Sequence, residues 1–258
     1  MKKSKHLFQT LALVVAAGVA SQARATLYTI GAPNTPGGFN LTYNGVQIDG
    51  GNSLVGAISL TPSSGSAVVT VCTDIKGVVY IGSQYNFEQS VFNGATGYDP
   101  TWTGASGGSA ATAINEAAYI YQTYGSLLEF GSQAQAAAVQ LAVWKVLYDQ
   151  GSGDLGSFSS GFFKVAASSG DSSAQQALVN TAISDAQSYV SAALGQSQQY
   201  VGFLLQPTDS NGNPTKDVQE MLYNIAPVPE PTTCIAGALL LLPFGASTLR
   251  MFRRNRTA

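Results

Sequence analysis

The chain has 258 residues, 45% of them hydrophobic, which is enough to build a sizeable core in one large domain or two small ones. Between Thr26 and Pro229 there are four basic residues, all of them lysines, against thirteen acidic residues, whereas the whole chain has a net charge of only −2. A body this acidic and without arginine cannot make the phosphate contacts that dominate nucleic-acid binding, so the sequence excludes that class of partner.

Residues 1–25 have the three parts of a secretory signal peptide. A lysine-rich start at residues 2–5 precedes an apolar run, Leu11–Ala20, and Ala23-Arg24-Ala25 offers the small residues of a cleavage site. The alternative is an N-terminal membrane anchor, but this apolar run is too short to span a bilayer. Removal of the segment by signal peptidase also removes His6, the single histidine of the chain. Catalysis by a serine–histidine–aspartate triad or a cysteine–histidine pair, and nearly all zinc sites, are therefore excluded.

The segment from Thr26 to about Phe92 has the pattern of short β-strands. Runs rich in valine and isoleucine, at Leu54–Leu60, Ala67–Thr73 and Val78–Ile81, are separated by clusters of glycine, asparagine, proline and serine. The turn residues between the second and third of these runs predict a hairpin.

A glycine-rich loop at residues 93–108 carries two aromatic residues, Tyr98 and Trp102. Aromatic side chains in a polar loop can stack on sugar rings, and this is one basis for predicting a carbohydrate-binding module. Partly buried anchors of the loop are the commoner explanation for such residues.

Three helices are predicted next, at Ala110–Tyr124, Ser132–Gln150 and Ser173–Leu194. Each has apolar residues at helical spacing, and the second is apolar around almost its whole circumference, which predicts a buried helix. Ser132 is expected to cap this second helix, because its hydroxyl can accept a bond from a first-turn N–H. Residues 151–171, between the last two helices, are rich in glycine and serine and are expected to form a long loop.

The chain returns to a β pattern at Tyr200–Leu205 and Val218–Ile225. The acidic and amide residues between these two runs have the spacing of a calcium-binding loop, but Pro214 occupies the position that requires glycine. Asn211-Gly212 between two strands is a common hairpin signal, so a plain turn is favoured.

The end of the chain has three parts, a short motif, an apolar run and a basic end. The motif is Val228, Pro229, Glu230 and Pro231. It is followed by the apolar run Cys234–Leu249 and by an arginine-rich end at residues 250–256. This ending resembles the PEP-CTERM sorting signal of Gram-negative bacteria. The resemblance implies a membrane helix in the inner membrane, processing by an exosortase, and a final location at the cell surface or in a matrix of exopolysaccharide and biofilm. A simple tail anchor is the alternative.

Gln140 and Cys72 are the two residues of the body that need an explanation. Gln140 lies in the second helix on a face that is otherwise apolar, so its amide needs a hydrogen-bond partner. A backbone group is one candidate, and Cys72 is the other. Cys72 is the single cysteine outside the sorting tail, and in an exported protein such a cysteine is either inert and buried or reactive.

The motifs around these two residues resemble those of the Cys–Gln thioester domains of Gram-positive surface adhesins. Cys72 lies near the end of a predicted strand, and Gln140, Ala142, Val143 and Trp144 match a Gln-x-Ala-aliphatic-Trp pattern in a helix, whereas Val139 stands where that family often has threonine. The resemblance implies a bond between the Cys72 sulfur and the Gln140 carbonyl carbon, formed with loss of ammonia, which Trp144 shields from water and an amine on a partner surface captures. Asp74 is a candidate for the base that removes the thiol proton. An unreacted cysteine–glutamine pair is the alternative.

These patterns predict an α+β protein with a signal peptide at 1–25, an ectodomain at 26–226 and a sorting tail at 227–258. The ectodomain is expected to be a β-rich sandwich or barrel with a three-helix insertion and C-terminal strands. The first functional hypothesis is a non-enzymatic surface or matrix protein that attaches covalently to amines through the thioester. The second is a passive matrix or carbohydrate-binding module, and the third and least favoured is a carboxylate-based hydrolase. No cofactor or metal is expected.

Overall fold

The computed structural model describes residues 25–48, 53–75, 77–93, 110–196, 200–213, 215 and 218–227. This part of the chain contains ten strands and four helices, and up to Ala226 it belongs to one compact unit. In chain order the strands are β1 Thr26–Ile30, β2 Gly38–Tyr43, β3 Val46–Gln47, β4 Ser53–Leu54, β5 Ile58–Pro62, β6 Val68–Cys72, β7 Gln84–Asn93, β8 Phe163–Ala167, β9 Tyr200–Thr208 and β10 Met221–Pro227. The helices are α1 Ala110–Tyr124, α2 Ser126–Phe130, α3 Gln133–Asp149 and α4 Ser173–Ala193.

Six strands form a closed barrel in the order β1, β5, β6, β10, β9, β7. Alternate residues are buried along β1 and β5, such as Tyr28 and Ile30 on β1, as the period of a strand requires. Strand β6 pairs with β5 through Ile58 and Thr70, and with β10 through Met221 and Cys72. The first and last strands of the described body are therefore both part of the barrel.

A second, four-stranded sheet is built on β2. Strands β3 and β4 pair with one edge of β2, and β8 pairs with the other edge from Phe39–Ala167 to Tyr43–Phe163. Strand β8 lies inside the stretch that the sequence predicts to be a long loop, so that prediction is wrong for residues 163–167. Its alternation of buried Phe163 and Val165 with exposed Lys164 is only five residues long and lies between glycine- and serine-rich stretches.

The helices lie between β7 and β9 in the sequence, and α3 is their centre. Helix α3 packs against α1, α2 and α4 and against strand β6. The three predicted helices are confirmed to within a residue or two, and Ser132 caps α3 in a capping box with Gln135. The short helix α2, between Gly125 and Gly131, was not predicted from the sequence.

Two predictions for the β-rich part are wrong. Residues 78–81 form no strand, so the expected hairpin with β6 does not exist, because β5 and β10 already pair with the two edges of β6. The run expected over 54–60 is divided into β4 and β5, which belong to different sheets. The chain changes sheet at Gly56, where a side chain would collide with the backbone of Asn34.

The connection after β9 is the plain turn that the sequence favours. The Asp209 carboxylate accepts hydrogen bonds from the backbone N–H groups of Asn211 and Asn213, each at 2.8 Å. Gly212 has a φ of 82°, which a residue with a side chain rarely adopts. The Asp209 carboxylate, the first ligand of the hypothetical calcium loop, is thus used within the turn itself.

The α+β fold with a barrel as its framework is confirmed. Residues 1–24 of the predicted signal peptide, the loop with Tyr98 and Trp102, and the sorting tail from Val228 onward lie outside the described residues. Within the described part, no helix has the length and apolar character that crossing a bilayer requires. The same part contains no group of three or more side chains placed to hold a metal ion.

Candidate functional site

Helix α3 places three polar side chains in the interior. Its alanine-rich sequence and capped start favour the helix, and every residue from Ala136 to Asp149 is buried. The buried polar side chains among them are Gln140, Lys145 and Asp149. Because burial without a partner is costly for each of these groups, their contacts define the polar sites of the core.

Gln140 faces Cys72 at the end of strand β6. The Cys72 N–H donates to Gln140 Oε1 at 2.7 Å, and Gln140 Nε2 donates to the Cys72 carbonyl oxygen at 2.7 Å. The pairing of β6 with β5 ends at Thr70, which leaves the backbone of Cys72 without a partner on β5. The Gln140 amide takes the place of β5 there and pairs with that backbone. Gln140 is 1% exposed and Cys72 is 2% exposed. The structure brings the two predicted residues together through the backbone of Cys72.

The Cys72 thiol has a separate partner, Gln219. Cys72 Sγ donates to Gln219 Oε1 at 2.9 Å, and Gln219 Nε2 donates to the carbonyl oxygen of Asp74 at 3.2 Å. Gln219 lies two residues before Met221, which pairs with Cys72 across β6 and β10. Sequence reasoning missed Gln219, because the pairing of β10 with β6 is not visible in either strand's own sequence.

Electrostatics keep the thiol protonated. Burial raises the pKa of Cys72 well above its ordinary value, and the negative charge of Asp74 raises this pKa further. Asp74 Oδ1 accepts a hydrogen bond from the Tyr148 hydroxyl at 3.4 Å, and this hydroxyl accepts one from the N–H of Ile75 at 3.2 Å. Burial, followed by the charge of Asp74, also raises the pKa of Tyr148, so this phenol stays neutral. Asp74 is therefore near the thiol, and its role as a base stays a prediction.

Trp144 lies one helical turn after Gln140 and is buried. Its ring contacts the ring of Phe163 in an edge-to-face arrangement with centroids 6.1 Å apart. The indole N–H has no hydrogen-bond partner among the described residues. This contact directs Trp144 toward strand β8, and the shielding of a Cys72–Gln140 bond stays a prediction.

Lys145 and Asp149 form a second polar site, which the sequence analysis did not identify. Lys145 Nζ donates to the Asp149 carboxylate and to the carbonyl oxygens of Ser160 and Phe163, at 3.0 and 3.2 Å. The other carboxylate oxygen accepts from the N–H groups of Phe162 and Phe163, at 2.6 and 3.0 Å. The spacing of four residues between a lysine and an aspartate was a usable signal. These bonds attach the segment before β8 to α3.

The Cys72–Gln140 site has the parts needed for an intramolecular acyl transfer. A thiol and a carboxamide lie on adjacent buried elements, and the carbonyl oxygen of that amide already accepts a backbone N–H. Such a donor stabilises the negative charge that this oxygen gains when a nucleophile adds to the carbonyl carbon. The Lys145–Asp149 site offers no comparable nucleophile, since Lys145 Nζ is hydrogen-bonded to three acceptors.

No known protein family matches this chain, and no curated protein matches it. Three solved structures resemble it. The N-terminal thioester domain of the fibronectin-binding protein SfbI from Streptococcus pyogenes is 9% identical, with a TM-score of 0.35, and the match covers 74% of this chain and 95% of that one. The N-terminal thioester domain of a surface protein from Clostridium perfringens, in a cysteine-to-alanine mutant, is 14% identical, with a TM-score of 0.37 and coverages of 74% and 99%.

The third structure is the N-terminal domain of the pilus tip adhesin Cpa from Streptococcus pyogenes. It is 11% identical, with a TM-score of 0.38, and the match covers 77% of this chain and 98% of that one. Two of these structural neighbours are thus thioester domains, and the third is the N-terminal domain of a pilus tip adhesin. The likeness is distant in both sequence identity and TM-score.

Proposed function

We propose that this chain is an exported surface or extracellular-matrix protein that attaches covalently to amines through an internal thioester between Cys72 and Gln140. The observation that carries the proposal is the pairing of the Gln140 amide with the backbone N–H and C=O of Cys72, both at 2.7 Å. This pairing holds the amide carbon beside the residue that bears the thiol. Proximity and exclusion of water are the two conditions that favour such a reaction.

Thioester formation exchanges one bond at the Gln140 side chain for another. The Cys72 sulfur bonds to Gln140 Cδ, the bond from Cδ to Nε2 breaks, and the nitrogen leaves as ammonia with the proton of the thiol. During this step the N–H of Cys72 stays hydrogen-bonded to Oε1, on which the negative charge of the intermediate develops. The reaction needs no cofactor and no histidine.

The test is the intact mass of the purified, exported protein, with and without methylamine. A thioester makes the protein one ammonia lighter than its sequence requires, and methylamine raises the mass by one methylamine. Cys72→Ala and Gln140→Ala are expected to lose both changes, whereas Gln133→Ala, at an exposed position of the same helix, is the matched control and keeps them. A wild-type protein of unmodified mass, with an unbonded thiol, contradicts the proposal.

Export and sorting complete the proposed function. Signal peptidase removes residues 1–25, the apolar tail holds the precursor in the inner membrane, and an exosortase recognises Val228 to Pro231. The protein then reaches the cell surface or the matrix of a Gram-negative bacterium, where polysaccharide or an amine-bearing surface is its partner. The support is the order of motif, apolar run and basic end in the sequence. Accumulation of precursor in the membrane fraction when Pro229 and Glu230 are replaced by alanine would test it.

A passive matrix or carbohydrate-binding module is the second candidate. It is favoured by the thiol's own hydrogen bond, which goes to Gln219 rather than to Gln140. In that case the cysteine and glutamine are an unreacted structural pair, and the sugar-binding residues are sought at Tyr98 and Trp102. Glycan-array binding that is lost in Trp102→Ala, in a protein of unmodified mass, would support this candidate.

A further inference from the structure

The body of the chain is rich in tyrosine and cannot form an internal disulfide. The whole chain contains twelve tyrosines and two cysteines, and one of these cysteines, Cys234, lies in the tail. Exported proteins commonly use disulfides as covalent links between parts of the fold. In this body Cys72 has no second cysteine to join. An oxidative link between two of its side chains therefore needs another residue type, and tyrosine rings couple to each other on one-electron oxidation.

Tyr124 and Tyr189 bring two such rings into a stack. Their ring centroids are 4.0 Å apart, and the ring planes are 17° from parallel. Tyr124 is the last residue of α1, and the chain turns directly after it at Gly125, where a side chain would collide with the carbonyl oxygen of Tyr121. Tyr189 lies on α4 directly before the buried Val190. The two rings are thus held by helices that pack against each other.

The stack differs from two other tyrosine pairs of the described part. Tyr43 with Tyr148, and Tyr119 with Tyr200, meet edge to face, with ring planes 74° apart. An edge-to-face pair directs the rim of one ring at the face of the other. In a near-parallel stack, the ring carbons next to the two hydroxyl groups lie over the partner ring, and a small shift is enough to bring two of them into bonding contact.

Both stacked rings are half-buried, so each also has an edge that solvent reaches. Burial raises the pKa of both phenols, and the negative charge of Asp185 raises the pKa of Tyr189 further. The two hydroxyl groups are therefore neutral near pH 7 and do not repel each other. A dissolved oxidant can take an electron at the exposed edges while the buried edges hold the rings in place.

We propose that Tyr124 and Tyr189 are a site of oxidative cross-linking, where a one-electron oxidant such as a peroxidase supplied with hydrogen peroxide joins the two rings as a dityrosine. The new bond fixes the end of α1 to α4, so it serves the helical part of the body as a disulfide would. Because the stack holds the rings together before oxidation, coupling within one molecule is favoured over coupling between molecules. The inference is independent of the Cys72–Gln140 thioester.

The coupling removes two hydrogen atoms from the pair. Each phenol loses one electron and its hydroxyl proton and becomes a phenoxyl radical. The two radicals form a bond between Cε carbons, which lie next to the hydroxyl groups, and each of these carbons then passes its hydrogen to the oxygen of its own ring. The two electrons and two protons that were removed convert one hydrogen peroxide into two molecules of water.

The test is oxidation of the purified, exported protein at low concentration. Peroxidase with hydrogen peroxide is one oxidant, and a small ruthenium photo-oxidant with persulfate is the other, so that the size of the peroxidase does not decide the result. We expect the monomer to become lighter by two hydrogen atoms and to gain dityrosine fluorescence, and a pepsin digest to contain peptides joined at Tyr124 and Tyr189. The link closes a long loop of the unfolded chain, so the urea midpoint should rise.

Tyr124→Phe and Tyr189→Phe should each lose the joined peptides, because phenylalanine keeps the stacked ring and lacks the hydroxyl group. Tyr80→Phe is the control and should keep them, since Tyr80 is 66% exposed and lies outside the stack. A loss of two hydrogen atoms that persists in both variants of the stack places the link elsewhere and overturns the proposal. So does a wild-type protein that both oxidants link only between molecules, or that neither oxidant links.

Discussion

Two buried polar sites lie on helix α3, and they differ in how their polar atoms are used. At Lys145 and Asp149, an ion pair and four further bonds to the backbone connect the helix to the segment before β8. At Gln140, two bonds connect a neutral amide to the backbone of Cys72, and the adjacent thiol bonds elsewhere. The saturated charged site holds the fold, whereas the neutral amide beside a thiol is placed for the reaction proposed above.

The largest effect is expected from breaking the charged site. Asp149→Ala leaves the Lys145 ammonium buried without its counter-charge and two N–H groups without an acceptor, so it should destabilise the fold by about 3–5 kcal/mol. Urea unfolding followed by circular dichroism measures this change. Asp154→Ala, in the loop after the helix, is the control and should stay within about 0.5 kcal/mol of wild type.

The amide site should be less important for stability and more important for reaction. Gln140→Ala removes a side chain that forms two buried hydrogen bonds and should cost about 2 kcal/mol, because the backbone of Cys72 is left unpaired. The same urea titration gives the cost, and methylamine incorporation gives the reactivity. A loss of stability equal to that of Asp149→Ala would remove the distinction between the two sites.

Glu116 is another buried acid, and it can be compared directly with Asp149. Asp149 forms an ion pair with Lys145, whereas no ion pair of Glu116 is found among the described residues. Burial is the largest effect and raises the pKa of Glu116 from 4.5 to about 7. Hydrogen bonds with the Gly195 backbone and the Gln150 side chain lower this pKa by a smaller amount. The folded protein therefore binds this proton more tightly than the unfolded chain does. Its contribution to stability is complete below pH 4.5 and is lost as the pH rises through about 7.

Glu116→Gln is expected to remove this dependence, since a glutamine stays neutral. At pH 8 the variant should be more stable than wild type by about 1–2 kcal/mol, and near pH 4.5 the two should converge. Thermal or urea unfolding at several pH values measures the difference. A difference that does not change with pH would mean that folding leaves the pKa of Glu116 unchanged.

The smallest change in stability is expected for Cys72→Ala, about 1 kcal/mol or less. The two bonds from Gln140 go to the backbone at position 72, so alanine retains them. Amine incorporation should nevertheless be abolished, because the sulfur is gone. A folded Cys72→Ala protein that still gains methylamine would show that another residue carries the electrophile.

The sequence predicted the helical part well because its signals are local. Ser132 and Gln135 mark the start of α3, and the apolar periodicity gives its length. The barrel was harder to predict, because β6 pairs with β10, and Cys72 and Gln219 are separated by 147 residues in the chain. A short strand such as β8 is likewise recognisable only next to β2. Gln140 was identified as needing a partner because one buried amide on an apolar face is itself a local signal.

Closure of the barrel has a consequence for crowded surroundings. A free edge strand offers unpaired N–H and C=O groups to a neighbouring molecule, and this is the usual route to strand exchange and aggregation. All six barrel strands have neighbours on both sides. In the second sheet, β3 and β4 have only two residues each, and β8 is packed against α4. Copies of the described body can therefore be concentrated on a surface or in a gel without offering one another a long strand to pair with.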